Sequence, residues 1–296
     1  KETRSSLISL IVALAAHKLN RPVRIMFDRD EDMIITGGRN PFLINYKVAF
    51  TNEGKITALQ TKAYVNSGYS VDFSGLVLLR AMFHMTGAYK IPNVEIEGNC
   101  MKTNTVSNTA YRGFGVPQGM LVGENIVRDV ARKLNKDYVD IMSKNLLQEG
   151  DVSHFKQEFT NVNVRRCFEE VQVNSEFEKR RKEVENFNEK NRWKKRGISL
   201  VNTYYGIGFP NKCLNQATAL VHAYLDGSVL LTHGGIEMGQ GLFTKTIQVA
   251  SSVLKIPFEN IHISEHSTDK IPNATPTVAS VGSDLNGGAV LDACQK

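Results

Sequence analysis

The sequence predicts an α+β chain built in two halves, and three observations carry that prediction. Two apolar runs alternate with period two, Phe42–Phe50 and residues 55–65, and Thr51, Asn52, Glu53 and Gly54 between them are a hairpin signal. Apolar residues recur at helical spacing behind Pro117 (Met120, Val127, Val130, Ala131, Leu134) and again over Leu242–Leu254. A polar, irregular stretch at 150–163 and a long charged helical run at 164–195 interrupt the chain before strands return. With 296 residues, of which 42% are hydrophobic and 22% charged, the chain has ample core for one large or two ordinary domains.

Taken in order, residues 3–19 read as a helix whose Leu7, Leu10, Ile11, Leu14 and Ala15 form a buried stripe. Lys1 and Arg4 ahead of that apolar run imitate a signal peptide. The chain does not start with Met, however, and residues 23–27 continue as a strand. The run is also too short to span a bilayer. The hairpin follows, then a strand at 94–102, the turn at 108–119 and its helix, and a short helix at 137–148. In the second half, 198–203, 217–225, 229–232 and 261–264 read as strands, with Asp226 and Gly227 turning between the second and third. Leu242–Leu254 is a helix and a last one begins near Ser283. A start in mid-helix and a final helix without a stop signal are expected of a piece of a longer protein.

The net charge of +6 is concentrated between Glu176 and Arg196, where glutamates interleave with the lysines and arginines. That pattern is a solvated helix face, and no nucleic-acid or membrane signature accompanies it. The four cysteines, Cys100, Cys167, Cys213 and Cys294, form no C-x-x-C pair, so free thiols in a reducing compartment are expected. His262 to His266 fits the H-x-x-E-H metalloprotease spacing, but that chemistry needs a helix and the surrounding residues alternate like a strand. Asn273 starts a glycosylation sequon that has meaning only in a secreted protein.

Residues 108–119 are the most informative stretch. They put a cation (Arg112), an aromatic (Phe114) and three glycines (Gly113, Gly115, Gly119) just ahead of a helix that Pro117 suits at its first turn. Free N–H groups at a helix start beside a fixed cation suit an anion or polar ligand. An ordinary loop-to-helix turn has the same composition. Residues 234–241 and 277–283 lead into helices in the same manner, with Gln118, Gln240 and Ser280 as hydrogen-bonding side chains. None matches a nucleotide fingerprint. Three such starts in one chain point to a large polar ligand held among helix N-termini.

Residues 1–5, 28–42, 80–85, 89–93, 110–115, 234–241 and 283–287 together resemble the molybdenum-cofactor portion of the xanthine dehydrogenase/aldehyde oxidase family over essentially the whole chain. The resemblance implies a two-part molybdopterin-binding region truncated at both ends. Residues 1–150 would be the C-terminal part of a first cofactor domain, 151–197 a connecting helical segment, and 198–296 the N-terminal part of a second. It implies a hydroxylase that oxidises purines, hypoxanthine and xanthine to urate, with oxygen derived from water. Electrons would leave through two iron–sulfur (2Fe–2S) clusters and FAD to NAD or dioxygen. A homodimer in the cytoplasm or peroxisome, acting on a small molecule, completes the family picture.

By the same resemblance, Arg112 and the main chain of Ala279 lie beside the molybdenum, and Gly239, Gln240, Ala279 and Ser280 contact the cofactor. Phe114 and Phe209 sandwich a flat substrate, with Pro210 next to the second ring. Glu2 and Arg80 hold a purine, Arg80 stabilising the negative charge that builds during attack. The general-base glutamate is expected beyond Lys296, so no catalytic residue falls within the chain and the isolated polypeptide is expected to be inactive. Three departures stand out: Pro210 replaces a threonine, Leu79 an acidic residue and Val116 a glycine. An aldehyde oxidase-type enzyme acting on aldehydes and N-heterocycles, or an inactive cofactor-binding paralogue, are the alternatives.

Overall fold

The structure, a computed structural model, describes residues 2–267, 269–271 and 274–296, without the side chains of residues 2–4. The chain separates into two compact units, Lys1–Tyr205 and Gly206–Lys296.

The first unit is built on a three-stranded sheet. Strands β1 (Phe42–Phe50) and β2 (Ile56–Gly68) pair antiparallel from Phe42 opposite Val65 to Phe50 opposite Ile56. The turn closes through Thr51 N–H to Lys55 O at 2.9 Å, with Gly54 at φ 94°. Strand β3 (Asn93–Lys102) lies parallel to β2, and a parallel neighbour requires a crossover. We label the helices in chain order: α1 (Glu2–Leu19), α2 (Arg29–Ile35), α3 (Ser74–His84), which is that crossover, α4 (Val116–Leu134), α5 (Tyr138–Asn145), α6 (Val164–Asn174) and α7 (Phe177–Lys190). Leu59, Ala63 and Val65 alternate along β2 toward a core that Ile56 at its start joins, completed by Leu78, Ala81, Ile126, Val127, Val130, Ile141 and Met142. Phe168 of α6 and Phe177 of α7 are buried in the same core, so these helices of the 151–197 segment pack into the first unit. Glu176, at φ 50°, breaks the expected single helix at 164–195 into two.

Three expectations fail here. Residues 23–27 form no strand, and Ile25 and Met26 are exposed. Residues 198–203 form none either. Their backbone is held instead by side chains: Arg128 donates to Leu200 O at 3.4 Å, and Tyr138 OH accepts from Leu200 N–H at 3.3 Å. On α1, Leu7, Leu10, Ile11 and Leu14 are 57–67% exposed rather than buried. Helical spacing specifies a face, not what covers it.

The second unit has β4 (Ala219–Ala223) antiparallel to β5 (Val229–His233) and β6 (Ile261–Ile263) parallel to β5. Helices α8 (Leu242–Leu254) and α9 (Gly282–Gln295) pack with this sheet around Leu231, Ala250, Ile261 and Val290. His262 lies on β6, as its alternation predicts, and His266 stacks on Phe243 with ring centroids 4.7 Å apart. None of the described helices is long and apolar enough to cross a membrane. Asn273 lies outside the described residues.

Candidate cofactor and substrate site

In the first unit the turn at 108–119 is folded back on itself. Phe114 N–H donates to Tyr111 O at 2.8 Å and Val116 N–H to Gly113 O at 3.0 Å. Gly113, Phe114 and Gly115 take φ of 95°, 48° and 89°. A left-handed phenylalanine costs about 1 kcal/mol and persists only where its surroundings hold it. One of those holds is Arg39, which donates to Arg112 O at 2.6 Å while its guanidinium lies 4.8 Å from the Tyr111 ring centre. Gln118, expected to face a ligand, instead donates inward to Asn40 O at 3.2 Å, and its Oε1 is buried without a hydrogen-bond partner. The Arg112 side chain is exposed and Phe114 is half-buried.

Arg80 sits half-buried on α3. The structure brings it to the turn by a backbone contact. A Cβ added to Gly115 would meet Ala81 N at 2.9 Å, so the residue after Phe114 lies against the residue after Arg80. His84 Nδ1, one helical turn on, bonds to Arg80 O at 2.8 Å, and its ring stacks on Tyr204 at 4.8 Å. Burial pulls the His84 pKa down from 6.5 to about 4, outweighing the carbonyl's opposite effect, so the ring is a neutral donor. The Glu2 side chain lies outside the described residues.

The second unit gathers its candidates through main-chain bonds. Gly208 N–H donates to Ala279 O at 2.9 Å, tying the loop of Phe209 and Pro210 to the loop of Ala279 and Ser280. Asn215 brackets Phe209, accepting from its N–H and donating to its carbonyl, both at 2.9 Å. Ile236 N–H donates to Thr277 Oγ1 at 2.9 Å and joins the glycine-rich loop to the same place. Ala279 and Ser280 both take left-handed backbone, at φ 57° and 59°. Consecutive non-glycine residues held there are a strain that clusters at ligand sites.

The donors of the glycine-rich loop are already taken. Glu237 accepts from the N–H of Gly239 at 2.7 Å, Gly241 at 3.0 Å and Phe243 at 3.1 Å. Those bonds, the one from Phe243 foremost, hold its carboxyl below the usual range. Gln240 bonds within the loop at both ends, donating to Ile236 O and accepting from Met238 N–H. The N–H groups at this helix start are therefore satisfied by Glu237 from within the chain. A Cβ at Gly239 would meet no atom within 4 Å, which leaves room for a ring to approach the main chain. With these N–H groups on Glu237 and Gln240, a phosphate at this loop would face a carboxylate, so the surface left for a cofactor ring is the open main chain at Gly239. Glu237→Ala is expected to lower molybdenum retention in the full-length protein several-fold, and Glu237→Gln by less, because the amide keeps an acceptor. Metal analysis after desalting reads the difference.

Sequence reasoning did not single out His84, Tyr204, Arg39, Asn215 or Glu237. Only Glu237 carried a local signal, an acidic residue just ahead of a helix.

Comparison with known proteins shows the family. Descriptions of a molybdopterin cofactor-binding domain match residues 1–146 and, as a second domain, residues 170–296. A xanthine dehydrogenase of Calliphora vicina is 57% identical over 296 residues, all of this chain and 22% of the relative. A xanthine dehydrogenase/oxidase of Felis catus is 53% identical over 295 residues, again 22% of its length. A solved aldehyde oxidoreductase from Desulfovibrio gigas matches with TM-score 0.82 and 26% identity, over 96% of this chain and 31% of that one. The chain thus spans under a quarter of the length of these curated relatives. It belongs to the molybdopterin cofactor-binding domain family, and over its whole length it is similar to a segment of these xanthine dehydrogenases.

Proposed function

We propose that the protein carrying this chain is a molybdenum hydroxylase that oxidises hypoxanthine and xanthine to urate. The observation that carries this reading is the backbone contact of Gly115 with Ala81, which sets Arg80 of α3 beside the turn bearing Arg112 and Phe114. The cofactor, when bound, supplies the two-electron redox centre at which oxygen derived from water is transferred. Arg80 faces the purine and steadies the negative charge that develops on its ring, and Glu2 accompanies it. Phe114 and Phe209 offer ring faces to a flat heterocycle, contacts worth about 0.5–1.5 kcal/mol each beyond area burial. Gly239, Gln240, Ala279 and Ser280 hold the cofactor, and Arg112 with the Ala279 main chain borders the metal. Residues 1–150 and 198–296 serve as the two cofactor domains with 151–197 between them; matches to two such domains, over 1–146 and 170–296, support the two-domain reading. Iron–sulfur centres, FAD, a homodimeric state and a cytoplasmic or peroxisomal site follow from the relatives' class.

An aldehyde-oxidising enzyme is the second reading. Pro210 in place of a hydroxyl side chain and the likeness to an aldehyde oxidoreductase favour it. The test of the reaction type is isotopic. Urate formed from xanthine in ¹⁸O-labelled water is expected to carry the label, and label acquired from dioxygen instead would overturn the proposal.

A further inference from the structure

Strand β5 ends at His233, and the glycine-rich loop begins with the next residue. The His233 ring is fully buried, edge-on to Phe243 and His266 with ring centroids 5.6 Å and 5.0 Å away. Both of its nitrogens have partners. Nδ1 lies 3.1 Å from Gly235 N, and Nε2 lies 3.2 Å from Thr246 Oγ1. An amide N–H only donates, so Nδ1 accepts. The Thr246 hydroxyl gives its own proton to Phe243 O at 2.9 Å, so its oxygen accepts from Nε2–H. A neutral ring with its proton on Nε2 is the one form that satisfies both partners. Burial, aided by the neighbouring His266, keeps the ring neutral by holding its pKa at about 4 instead of 6.5. The other tautomer and the imidazolium would each set a ring N–H against the N–H of Gly235.

That bond is the first of a set in which side chains take the loop's N–H groups. His233 takes Gly235, Thr277 takes Ile236, and Glu237 takes Gly239 and Gly241. Gly235 is also confined by its neighbours: a Cβ there would come within 2.5 Å of Leu242 Cδ2 and 2.8 Å of Asn286 Nδ2. An apolar side chain would fill the space of the ring without burying two polar nitrogens. What the histidine adds is the acceptor for the loop. We propose that His233 is a positioning residue for the cofactor: through Gly235 it sets the course of the main chain whose open face lies at Gly239. The proposal rests on the reading that Gly239 and Gln240 hold the cofactor. His233 acts through the loop and not by touching the cofactor.

The experiment uses the full-length holoenzyme and reads three quantities: the rate of molybdenum loss on dialysis, hydrogen–deuterium exchange of peptides covering residues 234–241, and the Tm. Three variants separate the two nitrogens. His233→Gln reaches Thr246 and leaves the Gly235 N–H without an acceptor. His233→Asn gives up Thr246 but places Oδ1 where Nδ1 stood, and an asparagine oxygen accepts readily from the N–H two residues on. Thr246→Val removes only the partner of Nε2. All three are expected to lower the Tm. His233→Gln is expected to lose molybdenum roughly 5- to 50-fold faster, with faster exchange across 234–241, as one buried donor is left unpaired. His233→Asn and Thr246→Val are expected to stay within about threefold of the parent in both, because the Gly235 bond survives. If His233→Gln yields no holoenzyme, His233→Asn decides, since it must keep molybdenum and loop protection despite its lower Tm. Molybdenum loss that simply follows the Tm across the set, or that is as fast in His233→Asn as in His233→Gln, overturns the proposal. Glu237→Ala tells this failure from that of the reading beneath it. If it releases molybdenum and His233→Gln does not, the loop holds the cofactor and His233 does not position it; if neither does, both have failed.

Discussion

Replacing Arg80 by alanine in the full-length enzyme is expected to lower kcat/KM for xanthine by roughly 10²- to 10³-fold while leaving aldehyde turnover nearly unchanged, the loss typical of removing one preorganised stabiliser of transition-state charge. The magnitude follows from placement. Arg80 is half-buried on α3, whose backbone lies directly against the glycine face at α4, so its helix has little freedom to adjust. Its carbonyl is held by a neutral His84, which brings no competing cation to the site. Aldehydes develop no comparable charge on a heterocyclic ring and have less need of the guanidinium. Arg80→Lys is expected to recover only part of the loss, because an ammonium cannot reproduce the planar fork. Steady-state kinetics on both substrates read the effect. Equal losses on xanthine and aldehyde would instead mean that Arg80 supports the fold.

The second large effect is an acid limit on stability. His84 in the first unit and His233 in the second are each buried, and burial lowers each pKa from 6.5 to about 4. His233 is also fully engaged: Nδ1 accepts from Gly235 N–H at 3.1 Å, and Nε2 meets Thr246 Oγ1 at 3.2 Å. In the unfolded chain both rings take a proton near pH 6.5, whereas the folded chain resists until about pH 4. The stability they contribute is therefore present in full above pH 6.5 and is lost progressively as pH falls from 6.5 to about 4, on the order of 3 kcal/mol for each ring. His154 and His266, also lowered by burial, add in the same direction. Denaturant unfolding at pH 7 and pH 4.5 is expected to show this loss, and His84→Gln or His233→Gln to flatten the slope. Stability that does not change between those pH values would contradict the burial of the neutral rings.

How much of this was legible in the sequence depends on which interactions are local. The β1–β2 hairpin and α4 were read correctly because period, turn glycine and first-turn proline all act within a few residues. Helix α3 was missed because Gly75, Leu76, Val77, Leu78 and Leu79 are apolar or small without a break, so no period distinguishes it. Residues 198–203 alternate like a strand, yet Arg128, Tyr138 and Tyr89 occupy their backbone and side-chain groups in place of a ladder. The α1 stripe was read as a helix face correctly and as buried wrongly. The turn at 108–119 was recognisable as unusual from its glycines alone. Its meeting with Arg80 was not, since Gly115 and Ala81 are far apart in sequence and touch only through packing. At residues 234–241 the glycines are legible as a helix start, but that Glu237 takes its free N–H groups is not, because the bonds depend on how the loop folds.

The role proposed for the chain is to hold the cofactor of a purine-oxidising molybdenum enzyme. Its most direct test is a single measurement on the purified full-length protein: molybdenum content set against xanthine-dependent urate formation across preparations of different metal loading. Urate formation is expected to rise in proportion to molybdenum. A protein free of molybdenum as isolated, or a fully loaded one that turns over aldehydes and no purine, would contradict it.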